Sequence, residues 1–77
     1  MFHEHDRVVL VTDLPTEGLV TGDVGAVVHQ YADTQAYEVE FTTLAGKTAA
    51  VVTVAATHVR PVGQREITHA RELVPQP

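Results

Sequence analysis

The chain contains no cysteine, so neither a disulfide nor a thiolate metal site can staple it. That absence removes the usual support of a small secreted domain and fits a reducing, cytoplasmic setting. Tryptophan is also missing, and Phe2, Tyr31, Tyr37 and Phe41 are the only aromatics, too few for the stacking platforms of single-strand binders. No apolar run approaches the ~20 residues a bilayer requires. The first residues, Met1 to Asp6, lack a basic region followed by an apolar one, so neither export nor membrane anchoring is expected. Gly-x-Ser-x-Gly, the phosphate-binding loop and His-Glu-x-x-His are all absent, leaving no catalytic machinery and no cofactor to propose.

Positive charge is scarce as well. Residues 1–46 hold eight acids against Arg7 alone, a balance of −7; the rest carries four basic residues against Glu66 and Glu72, a balance of +2, giving −5 in all. Phosphate binding demands cations, so this field argues against DNA or RNA and favours a basic protein partner.

What is present is a sequence of short apolar runs divided by turn residues. The chain is organised around Gly22-Asp23-Val24-Gly25-Ala26-Val27-Val28, where a glycine turn runs directly into a β-branched strand. Gly22, Asp23 and Gly25 are read as a structural turn, Gly25 as a strained turn or a tight backbone approach. Before it, Arg7–Thr12 has four consecutive apolar residues, Val8 to Val11, so both strand faces need cover. The intervening Asp13–Gly22 carries Leu14, Leu19 and Val20 and reads as a long loop folded back over one end of a core, with binding-rim duty compatible.

The second strand, Val24–Tyr31, leads to Ala36–Thr42, the cleanest strand of the chain. There Tyr37, Val39 and Phe41 alternate with Glu38 and Glu40. A fourth strand, Thr48–Val54, follows a Gly46-Lys47 hairpin loop. Ala55–Thr57 is short enough for one helical turn, and His58–Val62 closes the set at Pro61, which cannot donate to a ladder. The expected architecture is all-β: a five-stranded SH3-like barrel over residues 1–62 and a C-terminal extension over 63–77, undecided between helix and strand. Its core is expected from Val9, Val11, Leu19, Val24, Val28, Tyr37, Val39, Phe41, Val52 and Val59.

The blocks Asp13-Leu14-Pro15, Gly18-Leu19, Gly22 to Val28, Tyr37 to Phe41 and Gly46-Lys47-Thr48 resemble, over residues 4 to 62, an uncharacterised family of small bacterial proteins whose domain has no known function. The resemblance implies a compact SH3-like barrel and a role as an accessory or neutralising, antitoxin-like partner of a larger protein. The Gly22–Gly25 turn is also similar to that of KOW-type domains, which bind ribosomal RNA, transcription proteins or enzyme subunits; the basic face of the RNA binders is missing here.

The resulting expectation is a non-catalytic protein-binding module. Asp13, Glu17, Glu38 and Glu40 would meet a basic partner, and Arg65, Ile67, Arg71 and Leu73 of the tail would add a second contact. Against this stand a solvated acidic face with a tail packed on its own barrel, a KOW-like RNA- or ribosome-associated protein, and, lowest, a metal-dependent enzyme using gathered histidines from His3, His5, His29, His58 and His69. Self-association is left open.

Overall fold

A computed structural model of the chain describes residues 2–32 and 35–73. Among them are five strands, β1 (Arg7–Leu10), β2 (Val24–Tyr31), β3 (Ala36–Thr42), β4 (Thr48–Ala55) and β5 (Val59–Pro61), and two single 3-10 turns, Pro15–Glu17 and Ala56–His58. All pairings are antiparallel, in the order β4-β3-β2-β1-β5. The fold is therefore all-β with five strands, as expected. No ladder joins β4 to β5, so the barrel is open along that side. The physical cause lies in β5: it is three residues long, ends at a proline, and is carried over to β1 by the 3-10 turn.

One alternation organises the sheet. Val8 and Leu10 of β1, Gly25 and Val27 of β2, and Tyr37, Val39 and Phe41 of β3 share the inner face. With Leu19, Val54 and Val59 the apolar side chains of this face form the core, and no charged or polar residue is buried among the described residues. Leu19 and the partly buried Leu14, bridged to each other, fold the long loop over one end of it.

Three expected core residues are displaced. Val24 pairs with Val9 on the outer face and is 46% exposed, while Val11 lies past the end of β1 at 42%. The reason is Gly25: its neighbours across the sheet fill the space a side chain would need, so glycine must take the inner position, and Val24 then faces out. Val28 sits at a register shift between Val27 and His29 and is only half-buried. Val52 packs partly against the core, whereas Val54 is fully inside. Val9 is buried as expected, but on the outer face, apart from the core cluster.

Beyond Val62 the described tail forms neither helix nor strand. No helix in the described residues is long and apolar enough to cross a membrane.

Candidate partner-binding face

The outer face follows from the same alternation. Arg7 and Val9 stand beside Ala26 and Val24; Ala26 stands beside Glu40; Glu40 stands beside Val51, and Glu38 beside Thr53. Arg60 flanks Val9 on the other side. Across this face runs the tail, pinned at two points.

The first pin is a fork. Both guanidinium nitrogens of Arg60 donate to Glu66, at 2.8 and 2.7 Å, and the Gly63 N–H donates to the same carboxylate. The hydrogen bonds from Arg60, then that from Gly63, pull the Glu66 carboxyl down to about 2. The second pin joins Arg71 to Asp23 through two guanidinium donors, one of which also reaches the Gly18 carbonyl at 3.2 Å. Partial burial raises the Asp23 carboxyl, but the hydrogen bonds from Arg71 and the Val20 N–H, with the Arg71 charge, leave it below its ordinary value.

Between the pins Ile67 is almost wholly exposed, at 91%. It overhangs two adjoining clefts. One, of about 490 Å³, is bounded by Val9, Val24, Glu40, Leu44 and Val62; the other, of about 410 Å³, by Asp23, Phe41, Leu44, His69 and Leu73. Leu44, at 77% exposure, borders both. The result is an apolar surface whose border mixes Asp23, Glu40 and Glu66 with Arg7, Arg60 and Arg71.

The expected contact residues divide accordingly. Glu40, Ile67, Arg71 and Leu73 come together around these clefts. Glu40 accepts from the Thr48 hydroxyl at 2.6 Å, and Glu38, one step along the face, lies 3.5 Å from the Tyr31 hydroxyl. Arg65 is exposed on the tail but borders neither cleft. Asp13 and Glu17 stay in the long loop and line neither cleft. Asp13 accepts from the Thr21 N–H and hydroxyl, at 2.8 and 3.0 Å, which lowers its carboxyl and ties the loop closed. Gly22 has φ +97°, the left-handed turn that glycine permits, and Asp23 turns out to be a tail anchor as well as a turn residue.

Sequence reasoning missed both pins. The Arg60–Glu66 fork had a faint local signal, since Gly63 and Glu66 have the spacing of a side-chain-closed turn. The Arg71–Asp23 pair spans 48 positions and had none.

The histidines do not gather. His29 meets Tyr31 edge to face at 4.6 Å, His3 lies 3.8 Å from Asp6, and among the described residues no three His, Asp or Glu side chains form a metal-sized group.

Residues 4–61 match a family model described as a domain of unknown function (DUF4926). No curated protein and no solved structure matches the chain.

Proposed function

The chain belongs to the DUF4926 family, and from that premise we propose that it is a small non-catalytic binding module of the cytoplasm, an accessory or antitoxin-like partner of a more basic protein. The observation that carries this reading is the outer face. Exposed Val24, Leu44 and Ile67 adjoin one another over the clefts, beside Glu40, with Glu38 further along the same strand face, on a chain of net charge −5. Solvated surfaces scatter single apolar residues, whereas contiguous patches with a polar border mark interaction sites. Complementary charge on a partner would speed encounter and orient it, and the apolar residues would hold it.

The tail takes part as a strap. The Arg60–Glu66 pair is open to solvent and the Arg71–Asp23 pair is partly buried; water and salt screen the first, so it exchanges readily for contacts with a partner. A partner with basic side chains can therefore compete for Glu66 while covering Ile67.

Affinity purification of the tagged chain at native abundance, followed by mass spectrometry, tests this. A basic protein recovered with the wild type and lost with Ile67→Asp supports the reading. Recovery of RNA alone, surviving the same substitution, contradicts it.

A further inference from the structure

β4 is a sheet edge with few of the usual defences. Its eight residues, Thr48–Ala55, include no charge, no proline and no glycine. β3 pairs with one side, and among the described residues no other segment offers a backbone hydrogen bond to it, so its outward N–H and C=O groups meet water. Natural edges are blunted by shortness, charge, proline or bulges. The opposite edge has three of these devices: β5 is three residues long, carries Arg60 and ends at Pro61. β4 has only a register shift near its start, between Phe41 and Thr42 on β3, which leaves Ala50–Ala55 regular.

From this asymmetry we infer that β4 pairs antiparallel with β4 of a second copy of this chain, joining two five-stranded sheets into one of ten. The charge pattern selects a copy over a stranger. From Phe41 to Ala56 the only charged residue is Lys47, so self-pairing brings no acids together. The nearest, Glu40 on β3, would lie three strand spacings from its symmetry mate, about 14 Å. That exceeds the Debye length of about 8 Å at physiological salt, so the net negative charge does not oppose the contact.

Symmetry agrees. Antiparallel partners on one face obey a two-fold axis, and an axis at Val51 sets Val51 against its mate on the outer face and Ala50 against Val52 on the inner one. This covers Val51, which is 52% exposed in the single copy. Assembly then stops at two, because only the short, proline-ended β5 edges remain.

Val51→Lys tests this cleanly. Val51 faces Glu40 within its own sheet, so the lysine gains a partner there and the fold is kept, while two lysines meet across the two-fold axis. Thr53→Lys, opposite Glu38, is the second edge variant, and Leu44→Lys, exposed but off the edge, is the control. Sedimentation across a concentration series, with circular dichroism to verify folding, should give a two-copy species for wild type and Leu44→Lys. The two edge variants should raise its dissociation constant about tenfold or more. Amide exchange at Ala50–Ala55 should slow as wild-type concentration rises. A wild type that stays monomeric, a dimer indifferent to both edge lysines, one abolished by Leu44→Lys, or protection of β4 that requires a different protein would overturn the inference.

Discussion

At Gly25 a side chain has no room. A Cβ there would stand 2.5 Å from Val39 Cγ1, 2.9 Å from Phe41 Cε1 and 3.0 Å from the Glu40 carbonyl, so the backbone of β2 crosses β3 at a distance only glycine allows. Gly25→Val should therefore lower stability by at least about 1–3 kcal/mol, read as a fall in the urea midpoint at unchanged slope. An unaltered midpoint would mean that β3 yields freely. Glu66 supplies a second residue-scale test. Its carboxyl is depressed to about 2, so its link to Arg60 and Gly63 is complete above the unfolded value near 4 and is lost as pH falls through about 2. Carbon-detected NMR of the side chain should show that low midpoint, with tail amide shifts moving together with it. A midpoint near 4 would show that the fork does not hold in solution. The buried core, which contains no carboxylate or histidine among the described residues, should not move in the same step.

β3 shows what a strand can declare from sequence alone. Strict alternation of Tyr37, Val39 and Phe41 with Glu38 and Glu40 fixed both its bounds and its two faces, and the glycine turn fixed the start of β2. β1 shows the limit. In Val8-Val9-Leu10-Val11 every residue is apolar, so hydrophobicity could not say which alternate pair faces the core, and the register with Gly25 decides it. The same contact of Gly25 with β3, invisible without the pairing, turned Val24 outward. The candidate face was legible in part: Glu38 and Glu40 on one side of β3 could be read, but the meeting of Glu40 with Ile67 depends on where the tail crosses, which ion pairs distant in sequence determine. The β1 register gives a sharp contrast between neighbours. Leu10→Ala, at a fully buried site, should cost about 2–5 kcal/mol, and Val11→Ala about 0.5 kcal/mol or less. Equilibrium urea unfolding of both variants checks it, and the reverse ranking would place the wrong face of β1 in the core.

For the molecule as a whole, charge and sheet geometry divide the surface into regions with different uses. The outer face joins apolar side chains to Glu38 and Glu40 and is crossed by a strap that two ion pairs, one exposed and one partly buried, retain. The β4 edge carries no charge at all, so a second copy there and a protein partner on the outer face would make different demands. Eight acids against one arginine in residues 1–46 leave little for a phosphate backbone to bind. Gel shifts with duplex DNA or RNA at physiological salt should accordingly show no complex at low micromolar protein; a salt-sensitive shift would favour a nucleic-acid role. The most direct test of the binding-module account is a kinetic comparison with a co-purified protein partner. Association and dissociation rates would be measured at two salt concentrations for the wild type, for Glu38→Lys/Glu40→Lys, and for the chain lacking residues 64–77. The charge reversals should slow association and weaken its salt dependence, while loss of the strap should mainly hasten dissociation. Wild-type rates in both variants would contradict the assignment of partner binding to this face.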